Sequence, residues 1–443
     1  MGNLARFALT SCAAALFAGC GGSAAQPIGT PYALTQTSAS ASSRTDAHRT
    51  TTSSYEVVYK FSRSQDGGRP DGSLLAANGM LYGTTRFGGG GACNIFGGTG
   101  CGTVYRLDPK SGKKKRLHSF GGGSADGAYP NGGLIDVNGT LYGTTAYGGG
   151  GCGTTDGCGT VFSITTTGTE TVLHSFDDKS DGHSPAAGLI DVNGTLYGTT
   201  AGGGSCCGTV YSISTSGSEK KIYNFRGHTN SDGGDPQAGL TDVKGVLYGT
   251  TAYGGSSDDG TVYSVTTTGT EKVLHSFSGS PDGATPSSGL LDVRGTLYGT
   301  TPSGGDSLCY EVSYNCGIVF SITTGGKEKV FFTFTPANDY GGGASPSAGL
   351  VDVNGVLYGT APVGGNGYGC YDIGCGVIYS LTLSGQETVL HVFNGGADGA
   401  RPDSTMVDVN GTLYGTTPYG GGSNCPKTGS RHSGCGTVFA LTP

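Results

Sequence analysis

From Tyr55 onward the apolar residues fall into short runs, separated by glycine, serine, asparagine and aspartate. The runs come in sets of four. In the second set, Gly133-Leu134-Ile135-Asp136-Val137 leads through Asn138-Gly139 into Thr140-Leu141-Tyr142-Gly143-Thr144-Thr145. A Gly/Cys-rich stretch follows, then Gly159-Thr160-Val161-Phe162-Ser163-Ile164, a turn at Thr166-Thr167-Gly168, and Glu170-Thr171-Val172-Leu173-His174-Ser175-Phe176. Runs this short, rich in Val, Ile, Thr, Tyr and Phe, read as strands, here named a to d. Asn-Gly between a and b is the strongest short hairpin signal, because a two-residue turn needs positive φ at both positions.

The set recurs seven times. Leu-Tyr-Gly-Thr-Thr begins at Leu81, Leu141, Leu196, Leu247, Leu297 and Leu413, and Leu-Tyr-Gly-Thr-Ala at Leu357, at intervals of 60, 55, 51, 50, 60 and 56 residues. A period of this size made only of strands predicts an all-β fold: a seven-bladed β-propeller of four-stranded blades over 55–443. The folded region opens on a lone d strand, Tyr55 to Phe61, and finishes on a lone c strand, Gly436 to Thr442. The N-terminal strand is therefore expected to close the last blade, which removes two free edges. Parity along the chain puts the tight a–b and c–d turns on one face. The variable b–c loops and the d–a connectors fall on the other, which becomes the candidate working surface.

Twelve of the fourteen cysteines sit in the b–c loops as close pairs: Cys93/Cys101, Cys152/Cys158, Cys206/Cys207, Cys309/Cys316, Cys370/Cys375 and Cys425/Cys435. Local pairing in an exported chain predicts six disulfides. The competing reading, metal binding, lacks any second Cys or His pair at zinc-finger spacing. Cys206/Cys207 is the doubtful pair, since a vicinal bridge closes a strained ring. Blade 4 has no pair and carries Asp258-Asp259 instead.

The first twenty residues change the picture of location. Arg6, the apolar stretch Phe7 to Phe17, and Leu16-Phe17-Ala18-Gly19-Cys20 read as a lipoprotein signal over 1–20, with Cys20 lipidated. The alternative is an ordinary secretory signal cut near Ala18 or Gly19. Residues 21–54, rich in Ser, Thr, Ala and Gly, read as a disordered tether. The expected protein is exported, held at a membrane by its lipid, and monomeric. Composition adds exclusions. The 88 glycines follow no collagen period, and a net charge of −7 without a basic stripe speaks against a nucleic-acid partner.

Candidate chemistry is weighed against simpler roles. Asp-Gly-x-x-Pro recurs at Asp66, Asp126, Asp181, Asp232, Asp282 and Asp398, and reads as a turn in preference to a ring of cation ligands. Asp136, Asp191, Asp242, Asp292, Asp352 and Asp408 precede the a–b turns and are expected to accept from turn N–H groups. His118, His174, His275 and His391 share a strand-d position with Tyr59, Tyr223 and Phe332, which argues for shape over ligation. No metal set, cofactor or catalytic constellation is read. The start of the b–c loop breaks the symmetry: Tyr419, Phe87 and Tyr147 fall on blades 7, 1 and 2, with Arg86 beside Phe87. Tyr310, Tyr314, Tyr368 and Tyr371 lie in loops 5 and 6. Exposed aromatics suit a glycan or an extended peptide, and packing over Gly-rich backbone is the alternative.

Asn138 to Gly150, with Gly-Thr-Val-Phe-Ser-Ile and Val-Leu-His-Ser-Phe, closely resembles the bacterial GloVer tandem repeat, in all seven units. The resemblance implies surface display and transfers no catalytic residue. A looser similarity to kelch repeats fails at strand d, where tryptophan is usual and this chain has none. The leading expectation is a binding or scaffold module. The rivals are a propeller enzyme of lyase, hydrolase or copper oxidase type, and a structural surface component.

Overall fold

The computed structural model describes residues 53–62, 64–93, 99–152, 156–227, 231–305, 316–335, 342–365, 370, 374–422 and 434–443. Contacts divide the chain into units 1–47 and 48–443, and all described residues lie in the second. Cys20 with its signal and almost all of the tether fall outside the described residues, as do Tyr310, Tyr314, Tyr368 and Tyr371.

Seven four-stranded antiparallel sheets form the expected propeller. In blade 1 strands a to d are Leu75–Ala77, Met80–Thr85, Thr103–Leu107 and Lys114–Ser119. The short a strands adjoin one another in a closed cycle, Val407–Val409 of blade 7 lying beside Leu75–Ala77 of blade 1. Ser54–Lys60 pairs antiparallel with Thr437–Thr442, Tyr55 opposite Leu441, so the N-terminal strand closes blade 7.

Four letters of Leu-Tyr-Gly-Thr-Thr have a direct physical cause. The leucine is buried in every blade. The glycine lies under the aromatic ring of strand c: a Cβ on Gly249 would stand 2.5 Å from Tyr263 Oη, and one on Gly143 2.7 Å from Phe162. The first threonine reaches the next blade, as Thr144 Oγ1 donating to Ala187 O at 2.8 Å and Thr250 Oγ1 to Ser288 O at 3.0 Å. In five blades the second pairs with a buried strand-c hydroxyl, as Thr145 with Thr160 at 2.8 Å, and in blade 5 Thr301 stands opposite Ile318 instead. In blade 6 both members of that pair are gone together, replaced by Ala361 and Val377.

Blades are joined by edge-to-face aromatic pairs. The phenylalanine closing each d strand meets the strand-c ring of the following blade, as Phe120 with Phe162 at 5.2 Å and Phe225 with Tyr263 at 4.9 Å. The same joint bridges the chain ends, Phe61 with Tyr105 at 5.3 Å. Such pairs contribute roughly 0.5–1.5 kcal/mol each beyond area burial.

The a–b turns are of the mirror-image type, with Asn138 at φ 54° and Gly139 at φ 84°. All six strand-a aspartates accept from the turn glycine N–H; Asp136 Oδ1 does so at 2.7 Å and Asp191 Oδ1 at 2.9 Å. The turn role is therefore the observed one. Cys93–Cys101, Cys152–Cys158, Cys206–Cys207 and Cys370–Cys375 are disulfides, the vicinal pair included. Cys316 and Cys435 are also disulfide-bonded, while Cys309 and Cys425 lie outside the described residues. In blade 4 Asp258 Oδ1 accepts from Gly254 N at 2.9 Å, so a carboxylate ties the loop that no disulfide closes.

Candidate functional site

On the b–c and d–a face the channel widens into a cavity of about 660 Å³. Its wall is made by the residues flanking the connector prolines. The residue before each proline is left-handed in all seven blades: Arg69, Tyr129, Ser184, Asp235, Thr285, Ser345 and Arg401 have φ between 54° and 58°. None is glycine, and each such residue costs on the order of 1 kcal/mol or more. A hydrogen bond holds each one. Its N–H donates to the carbonyl of the second loop cysteine, as Arg69 N to Cys435 O and Arg401 N to Cys375 O, both at 2.7 Å; in blade 5 Thr285 N uses Asp259 O. The stapled loops thus fix the rim that carries the mouth side chains.

Those side chains are unequal. The position after the proline holds Asp71, Asn131, Ala186, Gln237, Ser287, Ser347 and Asp403 in blades 1 to 7. The two aspartates and the two arginines before the proline, Arg69 and Arg401, all belong to the adjoining blades 7 and 1. Arg69 Nε lies 3.1 Å from Asp71 Oδ2, and Arg86 Nη1 lies 3.7 Å from the same oxygen. Burial raises the Asp71 carboxyl, and the two guanidinium groups oppose it. Asp403 accepts from Ser347 Oγ. Asp403 is exposed on the cavity wall, and partial desolvation there raises its carboxyl to about 6. Ser347 lowers it and the Asp71 charge raises it further. Among the described residues Arg401 makes no side-chain ion pair, and its charge lowers the Asp403 carboxyl from a distance.

A titration follows. With its carboxyl raised from 3.8 to about 6, folded Asp403 takes up a proton at higher pH than the unfolded chain does. That protonation stabilises the fold fully below the unfolded value and is lost as pH rises through the folded one. Asp403→Asn should therefore melt higher than the parent at pH 8, and the gap should close toward pH 4. A gap independent of pH would show that the carboxyl is not raised.

Of the four residues singled out from sequence, Arg86 and Tyr419 reach the mouth. Tyr419 is half-buried, with the Arg69 guanidinium 5.5 Å from its ring centre. Phe87 is only 5% exposed, which corrects the expectation of an open platform. Phe87 and Tyr147 each meet the Tyr129 ring edge-to-face, at 5.6 Å and 5.8 Å, because left-handed Tyr129 turns its ring between them. The exposed ring at this loop position is Tyr253, at 52%. Arg69, Asp71, Arg401 and Asp403 were missed. The signal was present in the two variable places of Asp-Gly-x-x-Pro and just after it, where arginine appears only in blades 1 and 7 and is followed there, past the proline, by aspartate.

A second repeated arrangement lies between the outer strands. Every d strand carries a bulge just before its His or Tyr (Phe332 in blade 5), as at Leu173, between the pairs Val161–His174 and Phe162–Val172. A bulge re-aims the following side chain. It brings the His or Tyr onto the connector aspartate: Tyr59 Oη donates to Asp66 at 2.7 Å, His174 Nε2 meets Asp181 at 2.6 Å, and Tyr223 Oη donates to Asp232 at 2.9 Å. The same aspartates accept from backbone, as Asp181 Oδ1 from Asp177 N at 2.8 Å. The turn reading of these aspartates holds, while the shape-only reading of the histidines is corrected. The signal was covariation inside the chain, since Phe332 stands in the one blade whose aspartate is displaced to Asp339.

Fold and mouth together define a β-propeller repeat protein. A family model described as the Gloeobacter/Verrucomicrobia repeat matches residues 21–207, 97–313 and 201–428, and the chain belongs to that family. No curated protein matches. Among solved structures, the GH74 enzyme of Niastella koreensis is 15% identical over 86% of this chain and 53% of its own, with a TM-score of 0.51. The quinohemoprotein alcohol dehydrogenase of Comamonas testosteroni is 12% identical over 87% and 76%, at 0.49. An oligogalacturonate lyase from Vibrio parahaemolyticus is 10% identical over 87% and 89%, at 0.43. At these identities the likeness is one of fold.

Proposed function

We propose that the chain is a binding module, lipid-tethered through Cys20 outside the cytoplasm, whose ligand is a glycan seated in the channel mouth. The disulfides fit an oxidising compartment, and the first twenty residues support the tether. The observation that carries the ligand reading is the asymmetry of the mouth. Arg69, Asp71, Arg86, Arg401, Asp403 and Tyr419 gather on two adjoining blades, while the other blades offer short or neutral groups there. Carboxylates, guanidinium groups and a half-buried ring suit sugar hydroxyls and a sugar face. Arg401, which has no side-chain ion pair among the described residues, favours a sugar bearing a carboxylate.

The test is a glycan array followed by calorimetry, with a peptide library as the second arm. The parent should retain an acidic oligosaccharide, and Arg401→Ala should weaken it tenfold or more, about 1.4 kcal/mol, without lowering the melting temperature. Binding of peptides alone would replace the glycan, and equal binding by parent and variant would move the site elsewhere. A second reading, acid–base chemistry on the bound glycan, is favoured by the raised Asp403 carboxyl beside Asp71. It requires turnover by the parent that Asp403→Asn abolishes.

A further inference from the structure

We propose that the chain binds three divalent transition-metal ions of the zinc class between its outer strands, one each at His118–Asp126–Glu170, His174–Asp181–Glu219 and His275–Asp282–Glu328. In each triad the histidine comes from strand d of one blade, the aspartate from the connector that follows, and the glutamate from the start of strand d of the next blade. The candidate ligand atoms lie within 4.8 Å of one another. Zinc bonded to nitrogen and oxygen at about 2.0–2.2 Å spaces tetrahedral ligands roughly 3.4 Å apart. A small closing movement of the half-buried glutamates is enough to reach that spacing.

Unpartnered atoms lie at these places, as one also does at Glu271 of a junction that has no histidine. Oε1 of Glu170, Glu219 and Glu328 is buried without a hydrogen-bond partner, and so is Nε2 of His118. At the second triad the hydroxyl of Tyr211, a fully buried residue, also has none, and it feels the charges of Glu219 and Asp181. Buried polar atoms left unpaired call for a water or an ion. A cation held by the imidazole and both carboxylates would satisfy these atoms together.

The chain itself supplies the comparison. Between blades 7 and 1, Lys114 stands where the glutamate would be, and its Nζ lies 2.7 Å from Asp66 Oδ1, a built-in cation in the same position. Between blades 6 and 7, Tyr55 replaces the glutamate and stacks on His391 at 3.6 Å, so the second carboxylate is gone. Between blades 3 and 4 the glutamate remains as Glu271, but Tyr223 takes the place of the histidine, which removes the nitrogen ligand. Between blades 5 and 6 Phe332 stands at the histidine position, so three of the seven junctions keep histidine, aspartate and glutamate together.

Elemental analysis after dialysis of the untagged, disulfide-intact chain against Zn²⁺ tests this. Three ions per chain are expected. Glu170→Gln, Glu219→Gln and Glu328→Gln should each remove one, the triple variant should bind none, and Glu271→Gln should change nothing. Zn²⁺ should raise the melting temperature of the parent and leave that of the triple variant unmoved. Fewer than three ions on the parent, or a stoichiometry the three variants do not lower, overturns the proposal. The parent measurement stands whether or not any variant folds.

Discussion

A chain that begins after Phe61 will fail to form a soluble monomeric ring. Its seventh blade keeps three strands, and the edge of Thr437–Thr442 is left unpaired. A long free edge of this kind templates association. The loss extends beyond hydrogen bonds. Phe61 is 1% exposed and forms the aromatic joint with Tyr105 across the closure. The single change Phe61→Ala, which leaves the strand in place, should cost about 3–5 kcal/mol through the cavity it opens. Size-exclusion chromatography reads the first effect and denaturant unfolding the second. A truncated chain that elutes as a monomer and melts with the parent would show that the ring closes without this strand.

Gly249→Ala is expected to destabilise by about 1–3 kcal/mol, the range for overpacking a filled core. The added methyl would lie 2.5 Å from Tyr263 Oη and 2.7 Å from Cζ. That ring cannot swing away, because Phe225 is packed against it at 4.9 Å. Tyr263→Phe in the same chain removes the nearer contact, together with a buried hydroxyl that has no hydrogen-bond partner. The double variant should therefore recover part of the loss, a coupling that a double-mutant cycle measures. Gly245, at φ 82° with nothing within 4 Å of a built Cβ, is the contrast: alanine there pays only for backbone strain. Unchanged stability of Gly249→Ala would mean that the ring and glycine are not in contact.

The ring was legible because its determinants are local and repeated. Asn138-Gly139 specifies a turn by itself, paired cysteines specify their own loops, and a lone d strand at one end with a lone c strand at the other specifies closure. The mouth was less legible because its residues matter through geometry that spans two blades. Arg69 and Arg401 read as turn filler until the left-handed backbone before Pro70 and Pro402 is known to aim them inward. Phe87 and Tyr147 stand at equivalent loop positions, yet their burial depends on Tyr129, a residue of the connector between them. The His174–Asp181 pair escaped notice for a third reason. A bulge at Leu173 re-aims His174 onto the connector, and the length and residue types by which the strand is recognised carry no sign of a bulge.

The pairing of Ser54–Lys60 with Thr437–Thr442 also sets the order of events during folding. The strand made first finds its partner only when the strand made last has emerged. Until then six blades can assemble from neighbouring segments as an open arc, while the first strand waits without a ladder. Contacts this distant in sequence form late. During that interval the gap in blade 7 of one molecule accepts the waiting strand of another equally well, because the two are chemically identical. Crowding during folding therefore diverts closure into domain-swapped dimers, and dilution restores the single ring.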